Sequence, residues 1–152
     1  MSNRPALHHL ACGEGKSVAI GKTPLVFKAG MIVGSRYAMA EMTVPAGAAT
    51  PLHSHSWEET MYVLEGEFEM TGENGDRRRT GPGGVMHVPS RAAHGFINVG
   101  MTTGRLLMVG EPEQEKYFDD LADAMTRART DPGAVAAVRA RHGAESVGPV
   151  VR

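Results

Sequence analysis

Between residues 18 and 109 the hydrophobic positions come in short runs, each closed off by glycine, proline or asparagine. Arg36–Val44 places Ala38, Ala40, Met42 and Val44 at every second position, the period of a strand with one buried face. Pro45-Ala46-Gly47 ends it. Thr60–Met70 groups Tyr62, Val63 and Phe68 around Gly66, an interior glycine that predicts a bend or bulge. Asn74-Gly75 is a hairpin signal leading into a strand over Asp76–Thr80. Val85–Val88, His94–Asn98 and Arg105–Val109 are further strands, and their spacing of about ten residues is that of an all-β sandwich or barrel. Beyond residue 110 the period changes. Tyr117, Phe118, Leu121, Ala124 and Met125 follow helical spacing behind Glu111-Pro112. A second helix is predicted from Asp131-Pro132 to a stop at Gly143. Both read as amphipathic and are expected to dock on the barrel or on a second subunit. The chain divides into a flexible leader (1–17), a β-barrel (18–110) and a helical tail (111–152).

The 152 residues suffice for one domain with a real core. A hydrophobic content of 41% with 22% charged residues fits a globule rather than a disordered chain. A net charge of -1 supplies no basic footprint, so no nucleic-acid partner is expected. Arg77-Arg78-Arg79 reads as a solvated strand edge. The one cysteine, Cys12, excludes an internal disulfide and a cysteine-based zinc cage. No apolar run approaches the ~20 residues of a membrane span. His8 and His9 interrupt the stretch before Leu10-Ala11-Cys12, where a signal peptide needs apolar residues. A soluble, cytoplasmic protein without membrane partners is expected.

The candidate chemistry lies in histidines. His53, His55 and Glu59 are spaced by two and four residues, so in one extended strand all three point to the same side. Two imidazoles and a carboxylate on one face make most of a divalent-metal site with nitrogen and oxygen donors. His94, entering a new strand after Pro89-Ser90-Arg91-Ala92-Ala93, is a candidate fourth ligand from a facing strand. Glu58 is turned to the opposite face by the same alternation. Trp57, Met61 and Phe96 are candidates for the pocket wall or plain core. His87 is a candidate for the same wall or for a hydrogen-bonded structural role. His8, His9 and His142 are expected to face solvent.

These residues stand in two blocks. Gly47-x5-His53-x-His55-x3-Glu59-x6-Gly66 resembles the first cupin motif at every specified position. Gly83-x5-Pro89-x-Arg91-x2-His94-x3-Asn98 resembles the second, with Arg91 in place of the usual glycine. The resemblance covers roughly residues 18–109, and the tail is similar to those of small quercetin-dioxygenase-like cupins. It implies a double-stranded β-helix (jelly-roll) barrel with a short C-terminal helical extension. It also implies His53, His55, Glu59 and His94 as ligands of one divalent transition metal per chain, and a homodimer. Iron, nickel, manganese, cobalt, copper and zinc are not distinguished by this donor set. Arg91 raises the question of the turn's tightness, since glycine there accommodates positive φ, and an arginine at the barrel mouth faces either a surface acid or an anionic substrate.

Three imidazoles and one carboxylate on a divalent ion leave a net +1 centre, which favours an enolate, phenolate or carboxylate. The implied function is a metal-dependent dioxygenase acting on a small enolic or aromatic substrate, flavonol-like or diketone-like, with Glu59 as base. The alternatives are a non-oxidative isomerase or cyclase and a non-catalytic small-molecule-binding protein.

Overall fold

A computed structural model describes residues 6–150. Its strands are β1 (Lys16–Ile20), β2 (Thr23–Ala29), β3 (Ala38–Val44), β4 (Pro51–His55), β5 (Glu59–Glu65) and β6 (Phe68–Gly72). They continue as β7 (Arg77–Thr80), β8 (Val85–Val88), β9 (His94–Asn98), β10 (Gly104–Gly110) and β11 (Ala144–Val150). Helices α1 (Glu113–Arg127) and α2 (Ala134–Arg141) lie between β10 and β11. A six-stranded sheet runs β1-β2-β3-β10-β5-β8, and a five-stranded sheet runs β11-β4-β9-β6-β7. This is the all-β jelly roll expected, with a short helical part.

The alternation read at β3 is strict: Ala38, Ala40, Met42 and Val44 are buried and the residues between them are half-exposed. These side chains meet Leu25, Phe27, Met61, Val63, Phe68, Leu106 and Met108 between the sheets. Full burial of each large apolar side chain contributes about 1.5–3 kcal/mol. Gly66 separates β5 from β6 at φ +91°, and a Cβ there would fall 2.8 Å from Gly104 Cα, so the bend needs glycine twice over. The arginine run occupies edge strand β7, where Arg77 and Arg79 lie 3.3 and 3.1 Å from the Glu69 carboxylate. Among the described residues, no helix is long and apolar enough to cross a membrane.

Three expectations need correction. The leader does not extend to residue 17, because β1 begins at Lys16 and pairs with β2; its first five residues lie outside the described residues. The tail is not purely helical: after the αL turn at Gly143 the chain returns as β11 and pairs with β4. β11 is an edge strand, where Pro149 is tolerated. His142 is not solvent-facing. Its Nε2 lies 2.7 Å from Asp120 Oδ2 and its ring packs edge-on to Tyr117.

The helices are tied to the barrel by a second apolar cluster of Trp57, Tyr117, Leu121, Ala124, Ala134, Val138 and Ala144. Glu115, buried at the start of α1, reinforces this dock by pairing with Lys16 Nζ at 2.9 Å and accepting the Ile32 N–H at 3.1 Å.

Candidate metal centre

His53 and His55 do not share a continuous strand with Glu59. β4 ends at His55, residues 56–58 turn the chain, and β5 begins at Glu59 in the other sheet. The three side chains converge because the two sheets face each other across this corner. His94 is the register partner of His53 on the neighbouring strand β9 of the same sheet, not on a facing one. The ligand atoms of His53, His55 and His94 lie within 4.8 Å of one another.

Each ring is fixed by its far nitrogen. His53 Nδ1 lies 2.8 Å from Pro51 O, His55 Nδ1 2.7 Å from Trp57 O and His94 Nδ1 2.9 Å from Ala92 O. A carbonyl only accepts, so all three Nδ1 atoms carry the hydrogen and donate it. The Nε2 lone pairs are thereby turned on one another, the arrangement by which outer contacts set the tautomer of a metal-binding histidine. Burial, then the neighbouring His94, pushes His53 down to about 4, which keeps its imidazole neutral in the physiological range.

Glu59 completes the cluster. Its Oε1 lies 3.2 Å from His94 Nε2 and 3.5 Å from His55 Nε2. Burial alone would raise this carboxyl, but positive charge shared with His55 and His94 outweighs burial and holds it down to about 2. A carboxylate oxygen facing imidazole lone pairs is favourable only when a positive charge is shared among them. His55 Nε2 is buried with no hydrogen-bond partner. An orphaned nitrogen, a neighbouring carboxylate and three aligned imidazoles fit a divalent cation, with His53, His55, His94 and Glu59 as the residues that would hold it. Glu58 points outward, 4.0 Å from His87 Nε2 at the surface.

The cluster lies in a cavity of about 430 Å³. Trp57, Met61 and Phe96 line it, joined by Tyr117, Phe118 and Leu121 of α1, which the strand pattern gave no means of placing there. Trp57 lies flat on His55, with ring centroids 4.4 Å apart and planes 2° from parallel. Burial raises the Tyr117 phenol above its ordinary range against the opposing pull of Arg139, which also lines the cavity. His87 is not in the wall. β8 pairs with β5 so that Met86 and Val88 face inward, leaving His87 exposed with Nδ1 2.9 Å from Thr60 Oγ1. A shallower groove of about 570 Å³ runs beside His8, His9 and Cys12, away from the cluster.

Arg91 adopts φ +66°, the left-handed conformation the motif glycine would supply, and it alone does so among the described non-glycine residues. Its N–H donates to His55 O at 2.7 Å, tying the turn before His94 to the strand that carries two ligands. The side chain is exposed and forms no ion pair among the described residues.

A family model for the cupin domain matches residues 40–110, which hold all four candidate ligands. An uncharacterised protein of Methanocaldococcus jannaschii is 32% identical over 80 residues, which are 52% of this chain and 63% of that protein's length. The match therefore spans less than two thirds of the relative. Among solved structures, the polyketide cyclase RemF from Streptomyces resistomycificus is similar with a TM-score of 0.64 and 26% identity, over 71% of this chain and 81% of that one. An RmlC-like cupin from Shewanella frigidimarina is similar with a TM-score of 0.61 over 74% of this chain and 96% of that one. At 22% identity the second likeness concerns the fold alone.

Proposed function

We propose that the chain is a metal-dependent enzyme of cupin type, acting on a small enolic or aromatic substrate held in the barrel cavity. The observation that carries this reading is the alignment of three imidazoles whose Nδ1 atoms are tied to carbonyls and whose Nε2 atoms meet around Glu59. A divalent ion held there supplies Lewis acidity, which lowers the pKa of a bound enol or phenol. The protein's own part is selection and placement. Trp57, Phe96 and Phe118 offer flat apolar surface to a planar substrate, while α1 shields one side of the cavity from water. Glu59 would act as the base that accepts the substrate's proton when its carboxylate is released from the ion.

Two fates of the resulting enolate fit this cavity. Ring closure or isomerisation without an oxidant is favoured by the likeness to a polyketide cyclase. Reaction with dioxygen is the second reading, favoured by a nitrogen-and-oxygen donor set free of thiolate, which suits redox-active iron, manganese or nickel. The experiment is elemental analysis of the purified protein beside His53→Ala, followed by a flavonol, β-diketone and poly-β-ketone panel followed by absorbance and by an oxygen electrode. Metal in the wild type, lost in the variant, with turnover that consumes no oxygen supports the cyclase or isomerase reading. Oxygen uptake in step with turnover supports the dioxygenase. A wild type that holds no transition metal after reconstitution overturns both.

A further inference from the structure

Glu59 has a second anchor outside both histidine blocks. Gln114, in the first turn of α1, is completely buried and donates its Nε2–H to Glu59 Oε2 at 2.9 Å. The contact occupies a space that only glycine opens. Gly110 is the register partner of Glu59 across β10 and β5, and a Cβ at Gly110 would fall 1.9 Å from Gln114 Oε1. The amide is held there although its own Oε1 is buried without a partner, an arrangement that folding alone disfavours.

We infer that Gln114 is a positioning residue of the metal centre, fixing Glu59 so that one carboxylate oxygen faces the histidines and the other is withheld. The terminal torsion of a glutamate is broad, so packing alone does not set the rotation of its carboxylate. Here Gln114 holds Oε2, and Oε1 is turned to His94 at 3.2 Å and His55 at 3.5 Å. A carboxylate held by one oxygen takes up one coordination position and leaves more of the cation for substrate. The helical extension therefore shapes the first coordination sphere of a site whose ligands all come from the barrel. The inference rests on the metal reading of the cluster.

Gln114→Met keeps the length of the side chain but removes the donor, and Gln114→Asn keeps the amide but withdraws it by one methylene. Zn²⁺ affinity is measured by chelator competition and the site geometry by the Co²⁺ absorption spectrum, with circular dichroism and thermal melting as the check on folding. Both variants are expected to bind Zn²⁺ about 10–100-fold more weakly and to shift the Co²⁺ bands. The Glu59→Ala, Gln114→Met double variant is expected to bind no more weakly than Glu59→Ala alone, because Gln114 acts through Glu59. Folded Gln114 variants with wild-type affinity and spectrum overturn the inference, as do losses that multiply with Glu59→Ala. A wild type that binds neither ion overturns the metal reading itself, and the inference with it.

Discussion

Replacing Arg91 by glycine is expected to stabilise this protein, a direction opposite to that of most substitutions. Arg91 sits at φ +66°. For an L-residue the left-handed conformation costs about 1–2 kcal/mol because Cβ crowds the following carbonyl. Glycine removes that strain but adds freedom to the unfolded chain worth roughly 0.5–1 kcal/mol. The N–H bond to His55 O at 2.7 Å is kept, since glycine has the same donor. The exposed guanidinium has no ion-pair partner among the described residues, so little is lost with it. The net gain is about 0.5–1 kcal/mol, a rise in Tm of about 1–4 °C for a chain of this size. Thermal melting of metal-stripped wild type, Arg91→Gly and Arg91→Ala measures it. Alanine keeps the backbone strain and loses the side chain, so it is expected to melt close to wild type. A glycine variant that melts no higher than wild type, or an alanine variant that gains equally, would refute the strain argument.

Chelation of the bound metal should lower Tm by about 5–11 °C when free metal had stood at 100 times Kd, since linkage at that ratio is worth about 2.7 kcal/mol. His53→Ala should show no metal-dependent shift at the same concentration. Trp57 is the sole tryptophan and lies flat on His55; Co²⁺ titration should therefore quench its emission in the wild type and leave it unchanged in His55→Ala. Asp120 joins α1 to the end of α2 through His142 and Arg141 and pairs with Lys116 on its own helix, and its carboxyl is held down to about 2, chiefly by His142. A depressed folded pKa stabilises above the ordinary value of 3.8 and is lost as pH falls toward 2. Asp120→Asn should thus have a lower urea midpoint than wild type at pH 5, with the gap closing between about pH 4 and 2; a gap independent of pH contradicts this.

The parts of the fold legible in the sequence are those governed by local period and turn chemistry. The alternation of Ala38, Ala40, Met42 and Val44, the hairpin at Asn74-Gly75 and the strands at Val85–Val88 and His94–Asn98 all follow from one buried face and a turn. The bounds of β4 are not legible because Pro51, His53 and Ser54 carry no apolar alternation to mark where the strand begins and ends. The spacing of His53, His55 and Glu59 gave the right companions by the wrong geometry. A turn at residues 56–58 sends the carboxylate to the opposite sheet, and sequence separation does not reveal which sheet a strand joins. His87 misled because apolar neighbours on a strand show that the neighbours face inward, which turns the residue between them out.

Gln114 was illegible for a different reason. It lies 55 residues from Glu59, and an isolated glutamine at a helix start has an ordinary solvent-facing reading. The one local trace is Gly110 at the end of a strand, where a missing side chain marks a close approach without naming what approaches. Once the fold is known, the dependence of the site on the extension follows from three contacts. β11 covers β4, which would otherwise be the open edge of its sheet. Tyr117 packs against Trp57 with ring centroids 4.9 Å apart, and Trp57 in turn bears on His55 through both its ring and its carbonyl. Gln114 reaches Glu59. The barrel thus supplies the four candidate ligands while residues 113–150 hold two of them in orientation, so loosening α1 should weaken metal binding before it unfolds the sheets.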